Sequence, residues 1–150
     1  SLKLQFNRFK TFPKEICSLN GLRTLWLFAN QISIPASIQN LRLLEDLNIA
    51  RMGLSTLPVE MHQLTSLKRL NVSANLLTSL PILSATVESV FVAHNQISSL
   101  SNLSSTSLKE LHVQNNPIAE LPPPTQFSNF IFFGILPNSS LTCFISSLEI

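Results

Sequence analysis

Charged residues and glycine are scarce in this chain of 150 residues. Charged side chains make up only 12% of it, and the net charge is +2 at pH 7. A protein that holds nucleic acid through its phosphates needs a much denser cluster of Lys and Arg, so this composition excludes nucleic-acid binding. The three glycines are isolated from one another, which excludes a glycine-rich phosphate-binding loop.

Cysteine is almost absent as well. Cys17 and Cys143 lie far apart in the sequence, and two such residues make neither a disulfide framework nor a zinc site. They favour a reducing compartment. The first ten residues contain no apolar run and no small-residue cleavage site, so no signal peptide is predicted. Because residue 1 is Ser rather than Met, a preceding segment with such a signal stays open.

The sequence also lacks the arrangements that carry catalysis. It contains no G-x-S-x-G and no H-E-x-x-H motif, and its eight carboxylates are spread along the chain. No nucleophile is placed beside a base with a third, orienting group. We therefore predict no catalytic residue and no cofactor, and the chain is not expected to be an enzyme.

What the chain does contain is a motif that recurs about every 22 residues. Five segments end in Asn: LKLQFN (2–7), LWLFAN (25–30), LNVSAN (70–75), VFVAHN (90–95) and LHVQNN (111–116). A sixth segment, LNIARM (47–52), is in phase but ends in Met. The segments start 23, 22, 23, 20 and 21 residues apart, and most continue with a motif such as STLP or TSLP.

This pattern resembles the leucine-rich repeat, L-x-x-L-x-L-x-x-N-x-L-x-x-L-P, over residues 2 to about 124. The longer copies resemble the intracellular type of Ras-pathway scaffold proteins, and the shorter ones resemble the repeats of bacterial effectors. The resemblance implies an α/β fold: a right-handed solenoid with a curved parallel sheet on its concave face. Short helical, 3₁₀ or extended segments would form the convex face.

The physical chemistry of the motif supports the same fold. One repeat cannot bury its aliphatic face alone, whereas stacked repeats share a continuous core. The Asn lies where the chain leaves the strand, and its amide can satisfy buried backbone groups of that turn. Stacked repeats would thus form an Asn ladder, which Met52 interrupts. The longer copies have room for a helical turn, such as Glu15 to Leu19 or Glu60 to Leu64.

The sequence divides into two regions. Residues 1–124 hold about six repeats, the first incomplete, and residues 125–150 form a degenerate seventh repeat or a C-terminal capping segment. Phe130, Phe133, Ile135 and Asn138 match the motif, although a competing register uses Leu136-Pro137 as its L-P pair. Residues 127–148 carry no charge, but Pro137 and several serines interrupt them. A membrane span needs roughly 18 or more apolar residues, so none is predicted.

The residues between the repeating leucines are predicted to line the concave face in rows, where a protein partner could bind. Aromatic or Arg anchors surrounded by weaker contacts carry most of the energy in such interfaces. Trp26 and Phe28 are the strongest anchor pair. The candidate contact residues are Phe6, Trp26, Phe28, Asp46, Asn48, Arg51, Arg69, Asn71, Phe91, His94, His112 and Gln114. No Cys or carboxylate joins His94 and His112 in their rows, so no metal site is predicted.

These observations predict a protein-binding module, and the family resemblance implies a cytoplasmic signalling scaffold or adaptor. By resemblance, a small GTPase or a phosphatase is a plausible partner. Two alternatives stay open: the recognition domain of a larger signalling enzyme, such as a phosphatase or kinase, and an extracellular receptor-type recognition domain. The sequence does not name the partner or the oligomeric state.

Overall fold

A computed structural model of the chain describes residues 1–103, 107–119 and 131–132. Each repeat contributes one short strand, and the strands pair in parallel and in chain order within one sheet. The seven strands of the described residues are β1 (Leu2–Lys3), β2 (Thr24–Trp26), β3 (Asp46–Asn48), β4 (Arg69–Asn71), β5 (Ser89–Phe91), β6 (Glu110–His112) and β7 (Ile131–Phe132). This arrangement confirms the predicted repeat solenoid.

The core runs continuously behind the sheet. Leu25, Leu47 and Leu70 occupy the same register position in adjacent strands, and all three are fully buried. Leu27 and Ile49, two residues further along their segments, are also fully buried. Each such aliphatic side chain contributes roughly 1.5–3 kcal/mol when it leaves water. The aliphatic positions of successive repeats thus stack into one core.

Three 3₁₀ helices cover the side of the core opposite the sheet: Lys14–Ser18, Ala36–Asn40 and Val59–Gln63. Each one directly follows a proline. Proline has a fixed φ and no N–H, which suits the residue that leads into a helical turn. The turns predicted at residues 15–19 and 60–64 are therefore confirmed to within one residue.

The shorter repeat between β4 and β5 has no helix on this outer side. Hydroxyl groups satisfy a backbone group there instead. The hydroxyl of Thr86 donates to the carbonyl of Leu67 (2.9 Å), and Ser84 Oγ lies 2.9 Å from Thr86 Oγ1. Side-chain hydrogen bonds thus close the outer edge where the sequence is too short to form a helix.

Buried asparagines tie neighbouring repeats together. Asn95 Nδ2 donates to the carbonyl of Val92 (2.9 Å) in its own repeat and to that of Val72 (3.1 Å) in the preceding one. Asn95 Oδ1 accepts from the N–H of Leu77 (3.0 Å), also in the preceding repeat. Asn30, Asn75 and Asn116 make equivalent bonds, which confirms the predicted Asn ladder.

The residue before each ladder position has a left-handed backbone conformation. These residues have φ between 53° and 59°, and none of them is glycine: Phe6, Ala29, Arg51, Ala74, His94 and Asn115. A non-glycine residue in this conformation costs roughly 1 kcal/mol or more. The same strained conformation occurs in all six turns because it directs the following side chain toward the ladder position.

Met52 interrupts the ladder, as predicted, because its side chain has no amide. It is 4% exposed and packs in the core, and its main-chain N–H donates to Asn75 Oδ1 (3.0 Å). Its side chain supplies no amide to the preceding repeat. The ladder is therefore continuous from the β3 repeat to Asn116 and interrupted between the repeats of β2 and β3.

Most of the C-terminal region, predicted as a seventh repeat or cap at 125–150, lies outside the described residues. Its strand β7 pairs with β6 and places Phe132 opposite Leu111. The motif spacing assigned that position to Phe133, so the predicted alignment is wrong by one residue. Among the described residues, no helix has the length and apolar character to cross a membrane.

Candidate functional site: the exposed face of the sheet

The side chains between the buried leucines point away from the core and form rows across the strands. One row consists of residues paired in register: Lys3, Trp26, Asn48, Asn71, Phe91 and His112. The adjacent row consists of Thr24, Asp46, Arg69, Ser89 and Glu110. Both rows are those that the repeat spacing predicts. We call this surface the sheet face.

An aromatic cluster occupies the N-terminal part of the sheet face. It consists of Phe6, Trp26 and Phe28. The rings of Phe6 and Phe28 meet edge to face with centroids 5.0 Å apart, and those of Trp26 and Phe28 are 6.5 Å apart. Phe6 is 73% exposed, the largest exposure of the bulky apolar residues of the described part. The rings thus support one another while one of them projects into solvent.

Two hydrogen-bond donors border this aromatic cluster. Lys3 Nζ lies 4.1 Å from the centroid of the Trp26 ring, within cation–π range. The indole Nε1 of Trp26 is shielded from solvent and has no hydrogen-bond partner among the described residues. The N-terminal end of the sheet face therefore combines exposed apolar area with an ammonium group.

The middle of the sheet face is polar and locally ordered. Asn48 Oδ1 accepts from the N–H of Ala50 (3.2 Å), and Asn71 Oδ1 accepts from the N–H of Ser73 (3.0 Å). Both side chains are half-buried and cap the ends of their own strands. Their oxygens are occupied, and their amide NH₂ groups make no hydrogen bond with the described residues.

Histidines dominate the C-terminal part of the sheet face. The rings of Phe91 and His112 stack with centroids 4.6 Å apart, and His112 Nε2 lies 3.0 Å from Glu110 Oε1. His94 is exposed and contacts Asn115 Nδ2, which lies 3.1 Å from its Nδ1. Gln114, two residues after His112, is half-buried. This part can present an acid–base pair and an apolar ring together.

Ion pairs between repeats form a charged border beside the sheet face. These ion pairs were not predicted from the sequence. Arg23 pairs with Glu45, and Lys109 Nζ lies 2.8 Å from Glu88 Oε2. The predicted contact residues Asp46 and Arg69 form a third, looser pair with N and O 3.7 Å apart. The signal was present in the sequence, because the residue before each strand alternates in sign: Arg23, Glu45, Lys68, Glu88 and Lys109.

Within this charged border, the pKa of Glu88 is clearly shifted. The hydrogen bond from Lys109 lowers the pKa of Glu88 below its ordinary value of 4.5, with smaller contributions from the charges of Lys109, Lys68 and Arg69. Slight desolvation acts in the opposite direction. Because the pair is solvent-exposed, its contribution to stability is small.

No cluster of metal-binding side chains lies on this surface. In the described part of the chain, no group of three or more His, Cys, Asp or Glu residues could hold a metal ion. Cys17 is buried and has no disulfide partner there, and the hydroxyl of Ser37 donates to its sulfur (3.3 Å). The chemistry of the sheet face is therefore that of contact and hydrogen bonding.

The comparisons with known proteins agree with this architecture. A family model described as Leucine Rich Repeat matches residues 107–140. The chain is 32% identical over 138 residues to an adenylate cyclase of Schizosaccharomyces pombe, covering 89% of the chain and 8% of that protein. It is 36% identical over 130 residues to the probable serine/threonine-protein kinase pats1 of Dictyostelium discoideum, covering 81% of the chain and 4% of the kinase. The chain thus spans less than a tenth of the length of these curated relatives.

A solved structure shows the same fold. The leucine-rich-repeat ectodomain of a plant membrane receptor kinase from Arabidopsis thaliana, determined in complex with Casparian strip integrity factor 2, superposes with a TM-score of 0.73. The two are 26% identical, and the match covers 89% of this chain and 18% of the ectodomain.

Proposed function

We propose that this chain, which is a leucine-rich-repeat protein, binds a protein partner through its sheet face and acts as an interaction module. Repeat domains of this family typically bind proteins, and the two curated relatives, a cyclase and a kinase, match this chain over 8% and 4% of their own length. The partner's contact surface would be apolar opposite the aromatic cluster and polar opposite the strand centres.

The exposed aromatic cluster is the observation that carries this proposal. Phe6 is 73% exposed, although its edge contact with Phe28 fixes the orientation of the ring. Bulky rings held on a rigid scaffold lose little conformational entropy on binding and are typical interface anchors. A purely structural role would favour rings turned toward the sheet.

We extend this proposal to a scaffold or adaptor in cytoplasmic signalling. The repeat lengths resemble those of Ras-pathway scaffolds, and Cys17, which is buried and has no disulfide partner among the described residues, suits a reducing compartment. A small GTPase or a phosphatase is the partner class that this resemblance suggests. Microscopy of the tagged, full-length gene product tests the location, and a mass shift on glycosidase treatment would support the extracellular alternative instead.

A second candidate function is recognition within a larger signalling enzyme. The matches to a cyclase and a kinase, each covering under a tenth of the relative, favour it. This chain would then supply binding, and catalysis would belong to other parts of that protein. Sequencing the flanking regions of the gene distinguishes an isolated adaptor from an enzyme's recognition region.

Affinity capture with matched variants tests the proposal. Immobilised wild-type chain, Trp26→Ala and Val59→Ala would be incubated with extract, and bound proteins would be quantified by mass spectrometry. Val59 is the control because it is 69% exposed but lies on an outer 3₁₀ helix. We expect Trp26→Ala to reduce specific capture at least about tenfold, equivalent to roughly 1.4 kcal/mol or more, while Val59→Ala leaves it unchanged. Equal capture by all three, with equal melting temperatures, would contradict the proposal.

A further inference from the structure

Turns of neighbouring repeats are latched where the Oδ1 of a ladder Asn accepts a main-chain N–H of the preceding turn, from Phe9, Leu54, Leu77 or Ile97. Between the repeats of β3 and β4, Asn75 Oδ1 accepts from the N–H of Leu54 (3.0 Å), and the N–H of Leu76 donates to the carbonyl of Leu54 (2.8 Å). The following pair of repeats shows the same two bonds, in which Leu77 takes the place of Leu54.

The turns of the β2 and β3 repeats lack this latch. Met52 offers no amide oxygen, so the N–H of Ile32 has no acceptor among the described residues. The N–H of Gly53, the counterpart of Leu76, has none there either. The N–H of Ile32 is therefore unused, whereas its counterparts at the other described junctions each donate to an Asn oxygen. The N–H of Gly53 is unused as well, as is that of Gln31 at the preceding junction.

The structure on both sides of the open latch is firmly joined. On the sheet side, the N–H of Leu27 donates to the carbonyl of Asn48 (2.8 Å), and that of Ala29 donates to the carbonyl of Ala50 (3.0 Å). On the outer side, the 3₁₀ helices Ala36–Asn40 and Val59–Gln63 pack against each other. The missing latch therefore leaves a fixed opening rather than a hinge.

A cleft of about 450 Å³ lies at this point, lined by residues 31–33 and 51–56. Its apolar lining comes from the buried residues Ile32, Met52 and Leu54, and its polar lining includes the hydroxyls of residues 33, 55 and 56. Arg51 is the only charged residue that lines the cleft, and no acidic residue does.

Arg51 is positioned to receive an anion. Its side chain is exposed, and its guanidinium makes no hydrogen bond or ion pair with any residue that the structure describes. Its backbone is fixed, because its N–H donates to the carbonyl of Ser73 (3.0 Å) and its φ is 53°. The other arginine on this side of the sheet, Arg69, already faces Asp46.

We propose that this cleft binds a peptide segment of a partner protein that carries a Glu or Asp side chain. The carboxylate pairs with the Arg51 guanidinium, and the peptide's carbonyl groups accept from the free main-chain N–H groups of Ile32 and Gly53. The site lies beyond the strand ends, so it can be occupied independently of the aromatic cluster.

Two peptide pools test the site on the ¹⁵N-labelled, full chain. Both consist of N-acetylated, C-amidated heptapeptides, with uncharged residues randomised around a central Glu in one pool and a central Gln in the other. We expect the amide resonances of Ile32 and Gly53 to shift with the Glu pool, and affinity for the Gln pool to be roughly tenfold weaker.

Three variants sharpen the result. Arg51→Gln should abolish the preference for Glu over Gln. Met52→Asn should weaken both pools, because the new amide would occupy the N–H of Ile32, and its spectrum reports directly whether it folds. Trp26→Ala should leave peptide binding unchanged, which separates this site from the sheet face.

The proposal is overturned by equal shifts from both pools, by no shift at Ile32 and Gly53, or by an unaltered Glu preference in Arg51→Gln. Resonance shifts that are confined to the sheet face and disappear in Trp26→Ala would also overturn it. Such shifts would support the sheet-face proposal alone.

Discussion

The junction between the β4 and β5 repeats and the junction between the β2 and β3 repeats differ in one side chain. At the first, Asn95 makes hydrogen bonds to both repeats, and the turns are latched. At the second, Met52 occupies the equivalent position, and no such bond forms. Yet the strands pair at both junctions, with Leu47 opposite Leu25 as Val90 is opposite Leu70.

The comparison shows that three kinds of contact join neighbouring repeats: strand pairing, core packing and the ladder. The solenoid tolerates losing the ladder at one junction because the other two persist there. Met52 also compensates in part, since it is buried in the core and adds apolar area that Asn would not. The two unlatched turns line a cleft of about 450 Å³ at the surface.

The largest effect on stability is expected when Met replaces the ladder Asn at the junction of the β4 and β5 repeats. Asn95→Met should lower the free energy of unfolding by about 3 kcal/mol, because several buried main-chain groups lose their partners at once. Urea unfolding of the variant measures this. Asn71→Ala is the control, since Asn71 caps a single, half-buried N–H on the sheet face, and its loss should cost less than about 1 kcal/mol. Equal losses in both variants would show that the ladder adds nothing special.

Relief of backbone strain should have a smaller effect, and it should raise the free energy of unfolding. The increase should be the same at the latched junction and at the unlatched one. Ala74 and Arg51 have φ of 56° and 53°, so Ala74→Gly and Arg51→Gly should each raise the free energy of unfolding by about 0.5–1 kcal/mol. Ala50→Gly, at a neighbouring position without a positive φ, should lower it by a similar amount. Destabilisation by all three glycines in thermal melts would refute the strain argument.

The reciprocal exchange, Met52→Asn, should change stability least of the core variants. The restored ladder bonds and the lost burial of Met52 oppose each other, so the net change should lie within about 1 kcal/mol of zero. Chemical denaturation measures it. A loss above about 2 kcal/mol would mean that the turn cannot accept a ladder Asn, and that the two junctions differ in backbone as well as in side chain.

The smallest effect concerns the charged border. The pKa of Glu88 is lowered in the folded chain, so its pair with Lys109 stabilises the fold above the ordinary pKa of 4.5. That contribution is lost as the pH falls through the lower, folded pKa. Lys109→Gln should raise the pKa of Glu88 toward 4.5, as measured by NMR titration, with almost no change in melting temperature. An unchanged titration of Glu88 would rule out this pairing in solution.

Periodicity was sufficient to predict the parts of the molecule that repeat. The strand positions, the buried leucines, the ladder and the interruption at Met52 follow from spacing and from the chemistry of Leu and Asn. The rows of the sheet face follow as well, since side chains alternate along a strand. Their role in partner binding stays a prediction.

Features that depend on contacts between particular repeats could not be predicted in the same way. The left-handed residues include Phe6, Arg51 and His94, side chains that give no sign of positive φ. The cleft at residues 31–33 and 51–56 depends on how two adjacent turns are arranged, which the sequence alone does not reveal. The strand β7 pairs one residue away from the predicted alignment, because the motif is too degenerate there to fix a register.

Site-specific photo-crosslinking tests the central claim, partner binding by the sheet face, most directly. A benzophenone amino acid would replace Phe6 on the sheet face in one sample and Val59 on the outer helix in another, and each would be irradiated with the captured partner. If the partner binds the sheet face, we expect a covalent adduct from position 6 and none from position 59. An adduct from position 59 alone would contradict it, because the partner would then bind the opposite side of the solenoid.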